Sequence, residues 1–262
     1  MLASSRQIIG GFFSACLCIS GICLLQFPHM QQLISNHKTA SLETLEREIN
    51  TEKLRLNLLK QMPSFGYTNL IANWVYLDFL QYFGDDEVRA KTGYSLSPEY
   101  FEVILKRDPR FLEAYLGLST STSMYAAMPE RSIALMNNSL KSLSPWVPSK
   151  SYYVWRYKGI DELLFLGNSL NAKQSFQQAA NWASKHTDEE SKQVAEFSQK
   201  TADFLELNPD SKYAQIATWT MVLNNQVDKK THQRAIVTIE ALGGKVIKNP
   251  DGSTKIRLPK QD

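Results

Sequence analysis

Cysteine is the first thing this sequence has little of. Its three, Cys16, Cys18 and Cys23, all fall in one apolar stretch near the start. Everything beyond that stretch therefore forms no disulfide and offers a metal no thiolate. Phosphate-cradling glycine loops are also missing, since the Gly10-Gly11 pair lies in that same stretch. His29, His37, His186 and His232 are scattered, and none stands in an H-E-x-x-H pattern. There is no G-x-S-x-G elbow. Neither sign of charge is in excess: the net charge is +3, spread along the chain without a basic block, which excludes a dedicated nucleic-acid surface. The acidic DEE at 188–190 reads as a solvated helix start, where negative charge is favoured. No cofactor is expected. One acid–base arrangement stays open to folding, Asp161-Glu162 brought against Glu113.

What is present begins with an apolar run. Residues 8–27, IIGGFFSACLCISGICLLQF, carry no charge, and about 20 apolar residues let a helix cross a bilayer core. The following PHMQQLISN offers no A-x-A-like cleavage site, so the run reads as an uncleaved anchor rather than a removed signal. A second reading takes FSAC as a lipoprotein-type site with Cys16 lipidated, although Phe13 stands where such signals have leucine. Both readings hold the chain at a membrane. Arg6 before the run and Lys38 and Arg47 after it differ too little to fix orientation. The short flank before the run favours an exported globular part.

Residues 41–62 read as one helix. Leu42, Leu45, Ile49, Leu56 and Leu59 follow a seven-residue spacing, with Glu52 in a slot where an apolar residue is due. Glu43 and Arg47 form a favourable i,i+4 pair, and Met62-Pro63 ends the helix. With so few heptads, this segment is expected to be a stalk laying one stripe on the next domain.

Proline then punctuates the chain. LKRDP ends at Pro109, LKSLSP at Pro145 and LELNP at Pro209; the first two prolines stand 36 residues apart and the last two 64. A proline at the first position of a helix forfeits no bond, so each motif is expected to close one helix and open the next. SPEYFEVILKRDP, with Phe101 and Ile104 on its packing face, resembles the second helix of a tetratricopeptide repeat, whose period is about 34 residues. FLEAYLGL resembles the next first helix, with Leu116-Gly117 at the close contact. In YYVWRYKGIDELLFLGNSLNAKQSFQQAANWA, Trp155 and Gly159 resemble the first-helix pattern, and Ala172, Phe176 and Ala179 the A-x3-F-x2-A face of the second. Thr120 stands where an aromatic is usual, and Ser132 replaces a small alanine. The resemblance spans residues 67–225 and implies a solenoid of antiparallel helix hairpins whose first helices line a partner-binding groove. Through GYTNLIANWVYLDFLQYFGDD and SYYVWRYKGIDELLFLG the chain also resembles membrane-anchored proteins of cyanobacterial type. That implies a thylakoid or plasma membrane and assigns no activity.

Residues 69–83, NLIANWVYLDFLQYF, are apolar on nearly all sides, yet Asn69, Asn73 and Asp78 argue against a second span. Such a helix is expected to be buried; the functional alternative lays Trp74, Tyr82 and Phe83 on a membrane or a partner. Near the end, KKTHQRAIVTIEAL reads as a helix stopped by Gly243-Gly244. KVIK and STKIRL then flank Asp251-Gly252 as a β-hairpin, which needs to dock on the helices to be stable.

The expected fold is mainly α: an anchor over 1–27, a helical stalk over 28–62, a repeat-like helical domain over 63–225, and a C-terminal helix with a β-hairpin over 226–262. The expected function is a non-catalytic scaffold that holds protein partners, subunits of a membrane complex. Tyr152, Arg156 and Lys158 are its candidate open face, and Trp74, Tyr82 and Phe83 a second. The rival is an enzyme or small-ligand binder with a pocket between helices near Tyr152, Tyr153, Trp155 and Arg156.

Overall fold

A computed structural model describes residues 17, 19–22, 24–27, 41–207, 212–224, 229–248 and 254–259. The fold is mainly helical, ending in one small antiparallel sheet. Among the described residues no helix is long and apolar enough to cross a membrane. The expected anchor at 8–27 lies largely outside them, Cys16, Cys18 and Cys23 included; its described residues, in the 17–27 stretch, are helical.

Helix α1 (Leu42–Gln61) matches the helix read over 41–62. Leu56 is buried, with Ile49 and Leu59 packed on the same core. Glu52 fits the apolar stripe because it is saturated: Arg55 Nε and Nη2 donate to it, at 2.8 and 2.6 Å, and Tyr100 donates its hydroxyl at 2.7 Å. Arg55 also donates to Asp78 at 2.7 Å, joining α1 to α2 (Thr68–Gly84). α3 (Asp86–Thr92) starts under an Asp85 side chain that accepts from the Val88 N–H at 3.2 Å.

α4 (Ser97–Arg107) packs against α2 through rings. Phe79 lies 4.5 Å from Phe101 and 5.6 Å from Phe83 between centroids, and Tyr76, Tyr82, Tyr94 and Tyr100 continue the cluster. Gly117 leaves room for Phe101, since a Cβ there would stand 3.1 Å from its ring.

Two expectations need correction. Asp108-Pro109 closes α4 but opens nothing. Asp108 takes φ −138° and ψ 87°, as a residue before proline favours, and its carboxylate then accepts the Arg110 N–H at 2.9 Å. That turn delays α5 to Glu113–Leu118. Pro145 likewise falls in the connection between α6 (Pro129–Leu140) and α7 (Tyr152–Leu164); Pro209 lies outside the described residues. The second correction concerns α2, which is not buried all round. Ala72, Val75 and Phe79 face the core, whereas Leu70, Trp74 and Leu77 are 60–64% exposed.

α5 runs on into a π-helical stretch, Ser119–Tyr125. Beyond α6 and α7, α8 (Ser169–Ala183) and α9 (Glu189–Leu207) pack as consecutive helices. Phe176 fills the space that Gly159 leaves, 3.2 Å from where its Cβ would stand. α10 (Lys212–Asn224), α11 (Lys229–Ala241) and strands β1 (Lys245–Lys248) and β2 (Thr254–Arg257) end the chain. The strands pair Val246 with Ile256, and both pack on a core of Trp219, Ile216 and Ile239. The hairpin docks on the helices, as expected.

Candidate functional site

The residues of the expected open face are mostly inside. Tyr152 is buried, its ring against His186 at 5.8 Å and its hydroxyl 3.0 Å from Ser191 Oγ of α9. Lys158 is also buried; its ammonium sits 2.7 Å from Glu162 and donates to Ser175 at 2.9 Å. Arg156, half-buried, donates to Ser198 at 3.2 Å. All three side chains thus turn toward α8 and α9, because the close contact at Gly159 draws α8 over this side of α7. They do not form an exposed row. Tyr82 and Phe83 are likewise enclosed: the Tyr82 hydroxyl accepts from Leu96 N–H at 3.1 Å with the Arg89 guanidinium 4.0 Å over its ring, and Phe83 meets Tyr125 at 5.1 Å. Trp74 alone of the six is a surface residue.

A polar centre that the sequence left open lies beneath them. Asp161 is 0% exposed. One oxygen accepts the Ser119 hydroxyl at 2.7 Å, and the other accepts Ser123 at 2.6 Å and Ser132 at 2.7 Å. The π stretch carries Ser119 and Ser123, α6 carries Ser132, and α7 carries Asp161, so one carboxyl ties three elements together. Burial pushes Asp161 up to about 7, against the downward pull of the three hydroxyls. Serine both donates and accepts, so the cluster accommodates either protonation state. Next to it, Ser175 donates to Glu162 at 2.6 Å, closing a Lys158–Glu162–Ser175 triangle. The hydroxyls of Ser121 and Thr122 are buried with no protein partner. Glu113 does not join this centre; it stands beside Tyr76, whose hydroxyl burial and that carboxylate both push up. The STSTS run at 119–123 and Ser132, where the repeat pattern has alanine, are the traces of this centre in the sequence, but read alone they only weaken an apolar pattern.

Among the described residues, two surfaces expose rows of large apolar side chains. A groove of about 280 Å³ lies between α1 and α2, lined by Arg55, Leu59, Leu70, Ile71, Trp74 and Val75. Leu58 and Met62, three and seven residues beyond Arg55, share that side of α1 and are exposed, as is Phe65 in the connecting loop. On α9, Phe197, Phe204 and Leu207 are exposed at helical spacing along one face. Among the described residues no group of three or more His, Cys, Asp or Glu is placed to hold a metal.

No family model, no curated protein and no solved structure matches this chain.

Proposed function

We propose that the chain is a membrane-anchored, non-catalytic scaffold. Residues 8–27 hold it at a bilayer, thylakoid or plasma membrane, and the stack of antiparallel helices, read as a degenerate repeat solenoid, holds subunits of a membrane complex during assembly. One observation carries the partner-binding part: α9 leaves Phe197 and Phe204, 57% and 56% exposed, on one side with Leu207. Contiguous exposed apolar side chains mark interaction surfaces. The partner surface thus moves from the first helix of the clearest unit to the outer helix of the α7–α9 stack. A pocket enzyme is the weaker reading, because the carboxylates that converge, Asp161 and Glu162, are sealed behind hydroxyls and an ammonium.

The test is site-specific photo-crosslinking of the full chain in its native membranes, with a benzophenone side chain at Phe197 or at Lys141. Discrete protein adducts from position 197 and none from 141, an exposed position in the turn that follows α6, support the proposal. Adducts from both, or from neither, overturn the α9 surface.

A further inference from the structure

Exposed Glu196, Lys200, Asp203 and Glu206 flank the α9 row, whereas Arg55 is the one charged residue lining the α1/α2 groove, and the difference identifies what covers it. We infer that this face lies on the lipid bilayer itself, with Leu58, Met62, Phe65, Leu70, Trp74 and Leu77 immersed at the headgroup–acyl boundary. The inference rests on the anchor reading of residues 8–27.

Three observations favour lipid over a protein occupant. The first is composition. Leu70, Trp74 and Leu77 are 60–64% exposed and Phe65 is 81% exposed. The one charged liner, Arg55, is already committed to Glu52 and Asp78. A protein partner would be recognised through outward-facing donors and acceptors around an apolar centre; a bilayer asks only for apolar area with an indole at its rim, where tryptophan is at home.

The second is charge at the edge. The end of α1, beside Met62, is wrapped in cations: Lys106 donates to the Lys60 carbonyl at 3.1 Å, and Arg107 donates to the Leu59 carbonyl at 2.5 Å and to the Met62 carbonyl. Arg110 follows in the next turn. Glu102 holds Lys60 and Asp108 caps the Arg110 N–H, so a net positive edge is left next to the apolar face. Anionic headgroups complement it, since basic residues beside an apolar face are drawn to a negatively charged membrane surface.

The third is reach. Residues 28–41 separate the apolar run from α1, and fourteen residues span at most about 50 Å even fully extended. With 8–27 inserted, those residues and the 20-residue α1, about 30 Å long, keep this face within about 80 Å of the bilayer. Tethering of that kind gives an effective concentration in the millimolar range, so a modest apolar face suffices where it would not hold a free protein.

The experiment uses the full chain in vesicles of phosphatidylcholine and phosphatidylglycerol whose acyl chains are brominated near the headgroup, with tryptophan emission as the readout. Trp74 is one of five tryptophans, so wild type is compared with Trp74→Phe and with Leu70→Glu/Leu77→Glu. The expected result is a bromolipid-quenched component in wild type that disappears in both variants, while circular dichroism and retention through an alkaline wash are unchanged. Equal quenching in wild type and variants, with the chain still retained, overturns the inference and leaves the anchor standing. Release of wild type by the wash overturns the anchor reading instead. In a chain whose native cysteines are replaced by serine, disulfide-linked dimers through Leu70→Cys in vesicles assign the face to a second copy and overturn the lipid assignment.

Discussion

Between α2 and α4 the contact is built from aromatic rings, whereas among the π stretch, α6 and α7 it is built from hydroxyls around one carboxylate. The hydroxyl interface is fully buried, whereas the ring interface is buried at Phe79, Tyr100 and Phe101 and half-buried at Tyr76, Tyr82 and Phe83. Rings are broad and weakly directional, so Phe79 meets Tyr76, Phe83, Tyr100 and Phe101 at centroid distances of 4.5–6.0 Å and no single pair dictates the geometry. Asp161 instead accepts three bonds of 2.6–2.7 Å, which exist in one arrangement only. Between pH 5 and pH 8 the rings of the first interface stay uncharged. The second responds to pH, because a buried carboxyl that loses its proton keeps a charge that water no longer solvates. The same chain thus uses area to hold one half and directional bonds to register the other.

The largest expected effect tests the ring side. Phe79→Ala removes a side chain that is 2% exposed at the centre of the cluster, and truncations of this kind cost about 3–5 kcal/mol. Urea unfolding should show that loss equally at pH 5 and pH 8. A loss below 1 kcal/mol, which is about the scale of a surface change, would mean the rings are not the core of this half.

The hydroxyl side should show a comparable effect that depends on pH. Burial raises Asp161 from 3.8 to about 7, so between those values the folded chain keeps a proton that the unfolded chain has released. Stability therefore falls as pH rises through that window and levels off above it, by roughly 1.4 kcal/mol per pH unit and up to about 4 kcal/mol in all. Glu52 and Glu102 do not confound this. Burial raises them, but bonds from Arg55 and Tyr100 and from Lys60 and Arg131 hold them below the ordinary carboxylate range, so they act at lower pH. Asp161→Asn should flatten the wild-type difference between pH 5 and pH 8. An unchanged slope in the variant would assign the pH response elsewhere.

These two interfaces also divide what the sequence made legible. The ring half was partly readable: LKRDP placed the end of α4, Phe101 was expected on its packing face and Gly117 at a close helix contact; that the two meet each other came only from the structure. What was missed there was the face of α2. Its apolar residues surround the helix, so periodicity could not tell Leu70, Trp74 and Leu77 from Val75 and Phe79; only the position of α4 decides. The hydroxyl centre was hidden for another reason. Its serines lie 29, 38 and 42 residues from Asp161, and serine at those positions weakens an apolar pattern rather than marking a site. The expected open face failed through geometry. Tyr152, Arg156 and Lys158 do lie on one helix, but α8 and α9 close over them. The start of α5 was misplaced because an Asx turn from Asp108 across Pro109 is invisible to helix periodicity.

The smallest of these effects lies where a ring packs directly on the backbone of a neighbouring helix, Gly159 of α7 against Phe176 of α8. A Cβ at Gly159 would stand 3.2 Å from two ring carbons and 3.3 Å from a third, tighter than ordinary van der Waals contact. Alanine there relieves the helix-propensity cost of glycine, about 1 kcal/mol, while pressing on the ring, so Gly159→Ala should change stability little in either direction. Gly159→Leu has no such compensation. Overpacking of this kind costs about 1–3 kcal/mol, because α7 and α8 must separate and the neighbouring Lys158–Glu162–Ser175 triangle, which also bridges them, must stretch. The decisive form is a double-mutant cycle with Phe176→Ala, measured by thermal and urea unfolding. Truncating the ring opens the space that the leucine needs, so the double variant should be more stable than the two single losses added together predict. Additive losses would mean that leucine finds another path and that Gly159 and Phe176 do not set the approach of the two helices.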